Sequence, residues 1–398
     1  MVWRRWFAFF LGATMGFQAI IPVRAGTYDA FGNWPTHGLL PDGTDVGVSV
    51  LYQYDINRFD GERGALRDAD TNRRRYLGFY LRKPGVYDVN VQYDYQSRQW
   101  VDTFVRVRSQ GLLDHDIGNL RFGYTKTPVG FEGVTSAGAT TFIETALPIQ
   151  AFWEGRRTGV DWALPATHWI VNLGWYFARK DLNNANPGRT VAARVAWVPW
   201  RRTGEVLHLG VSGSRETLLA DTVRFGARPE AGLAQIRLAD TGVLDHARRV
   251  DRRGLEGLCI HGPLSIQGEY LAIDVQRADA RRDYRADGWY AFATWTLTGE
   301  SRVYSDGNVA DRRYDSRDLA TIRPAQRWGA IELALRYSRV DLDDEGIAGG
   351  HERDWTLGAN WYLGEHIKMQ ANYVWVSSVR KHVRTDPDVF ETRWQLSF

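Results

Sequence analysis

The sequence predicts an all-β chain: a transmembrane antiparallel β-barrel of about sixteen strands, with eighteen possible. Three observations carry that prediction. Segments of about ten residues alternate apolar and polar side chains with period two. The apolar rows are dense in rings (17 Trp, 18 Tyr and 17 Phe), yet mean hydropathy is negative, as a polar lumen averaged with an apolar outer face would give. Tight turns also alternate with longer charged loops, the asymmetry of barrels with a short-turn side and a long-loop side.

The elements follow in chain order. Arg4 and Arg5 precede an apolar run from Trp6 to Ile21, and Val23 and Ala25 supply small residues at −3 and −1 of a cleavage site. Residues 1–25 therefore form a signal peptide, 26–43 an N-terminal periplasmic segment, and 44–398 the barrel. Val46, Val48, Val50, Tyr52 and Tyr54 oppose Asp45, Ser49, Gln53 and Asp55. Leu77, Phe79 and Leu81 oppose Arg74, Tyr76, Tyr80 and Arg82, and Val89, Val91, Tyr93 and Tyr95 oppose Asp88, Asn90, Gln92 and Asp94. Further strands are expected near 100–108, 119–127, 155–164, 168–179, 190–198, 206–214, 252–261, 264–277, 284–298 and 328–341. The last three, near 353–363, 366–380 and 388–398, show the clearest alternation, with Trp355, Trp361, Trp375, Trp394 and the terminal Phe398 on one row. Lys83-Pro84-Gly85, Pro165-Ala166-Thr167 and Gly262-Pro263 supply tight turns.

Three stretches break the habit. Between Lys126 and Arg156 only Glu132, Glu144 and Glu154 carry charge, in a run of Gly, Ala, Thr and Ser. The connection 215–251 is far longer than its neighbours. Residues 299–327 lie on the short-turn side yet hold Arg302, Arg312, Arg313, Arg317 and Arg323. Two more strands there would raise the count to eighteen.

All but five of the 50 Lys+Arg are arginine, the exceptions being Lys83, Lys126, Lys180, Lys368 and Lys381. Alternation puts Arg74, Arg82, Arg106, Arg108, Arg121, Arg157, Arg194, Arg336 and Arg393 on the lumen side, because a guanidinium against mid-bilayer hydrocarbon costs about 2–4 kcal/mol. Asp45, Asp55, Asp88, Asp94, Asp102, Asp161, Glu332, Asp354 and Glu391 share those rows. The arginines can therefore serve ion handling or cross-strand pairing. Cys259, the only cysteine, rules out an intramolecular disulfide. The nine histidines are scattered, with no HExxH, GxSxG or phosphate-loop motif, which argues against an enzyme. A near-equal carboxylate load argues against nucleic acid.

The stretches LRFGYTKTPVGFEGVTSAGATTFIETALP, LTGESRVYSDG, WGAIELALRYSRVDLDD, GGHERDWTLGANWYLGEHIKMQANYV and FETRWQLSF resemble the phosphate-selective porin O and P family. The resemblance implies a sixteen-stranded, trimeric outer-membrane barrel whose third and fifth external loops fold into the lumen. It also implies passage of phosphate or polyphosphate along a ladder of arginines and lysines, with phosphate-like anions, outer-membrane lipid and two further copies of the chain as partners. No cofactor or metal is expected. By count those loops are 128–154 and 215–251. Gly130, Gly133 and Gly138 permit turns in the first of them. Lumen rows and loops together nominate Arg74, Arg106, Arg108, Arg121, Lys126, Arg157, Arg194, Arg215, Arg224 and Arg228 as pore-lining. Leu120, Phe122 and Tyr124 set Lys126 on the lipid row by parity, so its side stays open. Few lysines distinguish this chain from the family pattern. Seventeen tryptophans suggest a sugar path as the alternative, but most of them fall on lipid rows.

Overall fold

The computed structural model describes residues 36–60, 66–178, 180–185, 187–305 and 318–398. The expected signal peptide, residues 26–35 of the N-terminal segment, and Arg312, Arg313 and Arg317 lie outside them.

Sixteen antiparallel strands form one closed barrel. They are β1 Asp45–Phe59, β2 Ala69–Lys83, β3 Tyr87–Asp94, β4 Thr103–Arg108, β5 Asn119–Lys126, β6 Arg156–Pro165, β7 Trp169–Tyr176, β8 Arg189–Arg202, β9 Glu205–Thr217, β10 Ala247–His261, β11 Leu264–Arg277, β12 Tyr284–Thr296, β13 Ala330–Asp344, β14 Ile347–Leu363, β15 Ile367–Arg380 and β16 Asp388–Ser397. Each strand pairs with its neighbour in sequence, and β1 pairs with β16 from Leu51↔Ser397 to Phe59↔Val389, closing the cylinder. Closure removes both sheet edges, which a lipid-exposed sheet requires.

The eighteen-strand possibility fails. Val303–Ser305 and Asp318–Ala320 are strands, but they pair with each other and not with the wall. The fifth external loop is also shorter than 215–251. β9 and β10 remain paired up to Thr217↔Arg249, leaving 218–246 as the loop.

Outward rows carry the rings: Trp169, Trp175, Trp197, Trp289, Trp355, Trp361, Trp375 and Trp394 are all exposed. One sequence expectation is corrected here. Arg215 stands on the outward row of β9 with Leu209 and Val211 and pairs with Asp251 on the outer face, so it does not line the lumen. The cause is the three-residue extension of β9, which makes Arg215 a strand position governed by parity.

The wall is uneven. β3–β7 have 6–10 residues, whereas β9–β15 have 13–17. At about 3.4 Å per residue this is about 20–34 Å of strand against about 44–58 Å. The interior of the tall side is filled. The third external loop (127–155) and the fifth pack Phe142, Leu147, Ile149, Phe152, Phe225 and Leu244 against Val250, Leu271, Ile273, Val275, Tyr284, Val340 and Leu342 of the wall.

A constriction between the inward loop and the low wall

The third loop enters the barrel after Lys126, makes helical turns at Phe131–Val134 and Leu147–Phe152, and leaves at Arg156. Its irregular backbone must find partners for its N–H and C=O groups. The wall supplies them. Both oxygens of Glu269 accept main-chain N–H groups, Phe131 at 2.6 Å and Glu132 at 2.7 Å, while Ser212 and Ser338 accept from Gly130 and Leu147. Gln53, Gln395 and Lys368 donate to the carbonyls of Ala137, Gly138 and Thr140. Asn360 and Gln370 both donate to Thr141, and Arg393 donates to Ile143. Each such bond contributes about 0.5–1.5 kcal/mol, and each would cost more if left unmade in the interior.

Of the three loop glycines, Gly130 has positive φ (+74°), and a Cβ there would lie 2.7 Å from the Glu269 carboxylate. Gly133 is required for a different reason, since a Cβ would strike the Trp153 indole. Gly138 has neither constraint.

The loop's two central carboxylates are driven in opposite directions. Burial raises the Glu132 carboxyl to about 7, only partly offset by Arg336 and by the Ala146 N–H it accepts. Glu144 is nearly as enclosed, and burial alone would raise it too. The guanidinium groups of Arg73, Arg393 and Arg74 win, and hold it at about 2.

Opposite the loop tip, an open cavity of about 220 Å³ lies between Ser136–Ala139 and the low side, bounded there by Tyr76, Gln92, Asp102, Lys126 and Arg156. Toward the chain-terminal end it is bounded by Leu319–Arg323, His366 and Phe398. The described ends of the turn 297–329 therefore also reach inward, where Arg302 bonds Thr141 of the loop and ion-pairs with Glu332.

Lys126 resolves as a lumen-side residue. It ends β5 directly across from Arg156, and its ammonium bonds the carbonyls of Thr135 (2.6 Å) and Val134 while facing the Trp153 ring. Parity ceases to bind at the last residue of a strand, where the chain is already turning in.

The other nominated arginines scatter. Arg74 faces inward on Gln53. Arg106 and Arg108, with Arg82, converge on the single carboxylate of Asp88. Arg121 holds Asp161, and Arg157 holds Glu216. Arg194 reaches over β9 along the same wall to Glu256, beside His208. Arg224 and Arg228 belong to the fifth loop, where Arg224 pairs with Asp240 and Arg228 bonds the Gly232 carbonyl. Cross-strand and loop pairing thus accounts for most of the set.

Two lumen cations of β2–β6 were missed. Arg73 turns inward to Glu144 because a register shift between Gln53 and Tyr54 inserts an extra residue into β2. Arg156, outward by parity, makes two bonds to Asp102. Arg73, Arg74, Arg82, Arg106, Arg108, Arg121, Lys126, Arg156 and Arg157 outnumber Asp88, Asp94, Asp102 and Asp161 on the inner side of β2–β6.

The profile of the family described as phosphate-selective porin O and P matches residues 46–398, all of the barrel but Asp45. The chain belongs to this family. Among phosphate-selective porin O and P relatives, Porin O of Pseudomonas aeruginosa is 27% identical over 390 residues, covering 87% of this chain and 86% of that protein. Among solved structures, the anion-selective porin from Comamonas acidovorans superposes with a TM-score of 0.55 at 11% identity, over 89% of this chain and 100% of that one. The trimer form of OmpT, an outer-membrane protein of Vibrio cholerae, gives 0.57 at 10% identity, over 89% and 99%. At that identity the likeness shows the fold. The protein is an outer-membrane porin.

Proposed function

We propose that the protein carries out passive diffusion of small anions, phosphate-like solutes foremost, without a catalytic step. The observation supporting this is the cation excess beside the loop tip. Lys126 and Arg156 border the cavity, Asp102 pairs with Arg156, Arg323 and Glu365 pair with each other on its far side, and Lys126 bonds the Thr135 and Val134 carbonyls of the loop. Fixed cations in a narrow, partly desolvated passage raise local anion concentration and reject cations. Guanidinium donors match phosphate oxygens in geometry as well as charge. Because Arg82, Arg106, Arg108 and Arg121 hold carboxylates away from the cavity, whereas Lys126 and the Asp102-paired Arg156 border it, the selective element is the Lys126–Arg156 level, not a ladder over the whole wall. The working form is a homotrimer, in keeping with the trimeric OmpT it resembles.

Single-channel reversal potentials in a KCl gradient, repeated with added phosphate, test this reading. Chloride current is expected to dominate, with phosphate blocking it at low concentration. Cation-dominated current would overturn the anion reading, and block by maltodextrins without any phosphate effect would replace it with a sugar porin.

A further inference from the structure

The external third of the tall wall reverses the barrel's polarity. On β10–β14 the outward rows are apolar from Leu264, Trp295 and Ile331 up to Tyr270, Trp289, Tyr337 and Trp355. The last three rings pack at tilted angles, with centroids 5.1 Å apart for Trp289–Tyr337 and 4.9 Å for Tyr337–Trp355. Such a ring belt marks a bilayer interface. Directly above it the apolar residues turn inward (Leu271, Ile273, Val275, Val340, Leu342), and the outward positions become Arg253, Asp274, Arg285, Asp287, Arg339 and Arg353.

The charges in this zone are arranged poorly for a surface facing only water. Arg339 stands directly across from Arg353 in the β13–β14 register, and like charges so placed repel. Arg339 has Asp341 at 3.1 Å, whereas Arg353 is exposed and pairs with no carboxylate among the described residues. Arg253 and Arg285 share one carboxylate, Asp274, and keep 74% and 79% of their side chains exposed. Between the two arginine pairs, Asp287 faces Asp341 across β12–β13. A shallow groove of about 490 Å³ runs past Arg253 and Arg285 and the four carboxylates Asp274, Asp287, Asp341 and Asp343, with Arg339 and Arg353 outside its lining. Two arginine pairs flanking a cluster of carboxylates complement a phosphate-bearing headgroup that brings a divalent counterion for the carboxylates.

We propose that this face is a binding site for the phosphorylated headgroup of an outer-leaflet glycolipid, with Arg339 and Arg353 gripping one phosphate and Arg253 and Arg285 a second. The aromatic belt beneath sets the depth at which an acyl chain ends and a headgroup begins. A bound phosphate also relieves the Arg339–Arg353 repulsion, and a divalent ion shared with it relieves Asp287–Asp341. The site is independent of the pore reading, since none of these residues borders the lumen.

Native mass spectrometry of the detergent-solubilised protein tests it, with bisphosphorylated lipid A and magnesium as probes. Wild type should retain lipid A at least about tenfold better than R339A/R353A, with R253A/R285A also weakened and the reversal potential unchanged in both. If the double variant fails to assemble, the exposed single change R353E serves in its place and should lose retention likewise. Undiminished retention by these variants, or equal retention of a fully dephosphorylated lipid A, would overturn the proposal. So would displacement of lipid A by millimolar inorganic phosphate, which would make the site a free-anion site.

Discussion

The two sides of this barrel use charge for opposite ends. On the low side, cations outnumber carboxylates and border open space. On the tall side, the buried charged residues of β10–β15 are mainly acids: Glu256, Glu269, Glu332, Glu352 and Asp354, against Arg252, Arg336 and Lys368. Glu269 there accepts two loop N–H groups, and Glu332 accepts from Asn360 and Tyr362. A folded-in loop presents backbone donors and needs acceptors, whereas a conduit for anions needs donors that stay available. Under the proposed function, the tall wall holds most of the loop and the low wall is the one that faces the solute. The same alternating pattern builds both, and only the height of the strands and the sign of the inward charge tell them apart.

The comparison breaks first at Arg336. Its guanidinium lies fully buried over the Phe142 ring, binds Glu230 of the fifth loop and the Glu144 carbonyl, and approaches Glu132. R336A strands those carboxylates, and losing one partner of a buried pair costs about 3–5 kcal/mol. Thermal unfolding should drop markedly, and surviving channels should show larger, noisier conductance as both loops loosen. R121A, whose pair on the low side is less deeply sealed, should cost less; equal losses would erase the distinction between holding wall and conducting wall.

Next comes pH. Glu132 has a folded value of about 7, above its ordinary 4.5, so the fold favours its neutral form. Its contribution is greatest below pH 4.5, declines as pH rises to about 7, and then levels off, by at most about 3 kcal/mol. E132Q should flatten that slope and match or exceed wild type at pH 8. Glu144 runs the other way. Held at about 2, it stabilises above pH 4.5 and loses that effect only as pH falls toward 2. E144Q should therefore destabilise at neutral pH. Unfolding temperatures of both variants at pH 5 and pH 8 measure the two signs, and a common sign would contradict the charge assignment around the loop.

A smaller energy but a sharper readout attends K126E/R156E. Reversing charge at the cavity edge should shift relative anion permeability by about 1–2 kcal/mol, on the order of tenfold, visible as a moved reversal potential. R194E, at a sealed pair with Glu256 on the wall, should instead impair folding. If K126E/R156E leaves selectivity intact, the conducting path does not run along the low side.

Much of this was legible in sequence because period two is a strong constraint where strands are regular. The sixteen strands, the inward Arg106, Arg121 and Arg194, and the anomaly at 128–154 all follow from it. What failed lies where the period slips or stops. Arg73 is inward only through a bulge, which leaves no mark in RRR at 73–75. Lys126 and Arg156 sit at strand ends, where parity no longer governs direction. Arg215 was assigned to a loop because its strand runs on through Gly213 and Ser214, residues with weak strand preference. The apolar inner row Leu271, Ile273, Val275 defeats the equation of apolar with lipid-facing, because the loops inside the barrel supply a second apolar environment.

The smallest perturbation asks the most basic question. Cys259 is exposed on the outward row of β10, below Leu255 and flanked in register by Leu207 and Ile266. If that row touches acyl chains, a lipophilic maleimide should label the protein in membranes while a charged, impermeant one should not, and C259S should conduct as wild type does. The thiol has this diagnostic value because its neighbours leave it no polar alternative: water reaching it would have to wet Leu207 and Ile266 as well, at about 25 cal/mol per Å² of apolar surface. Ready labelling by the charged reagent would place the lower half of the tall wall in water, and the assignment of outer and inner faces would fall with it.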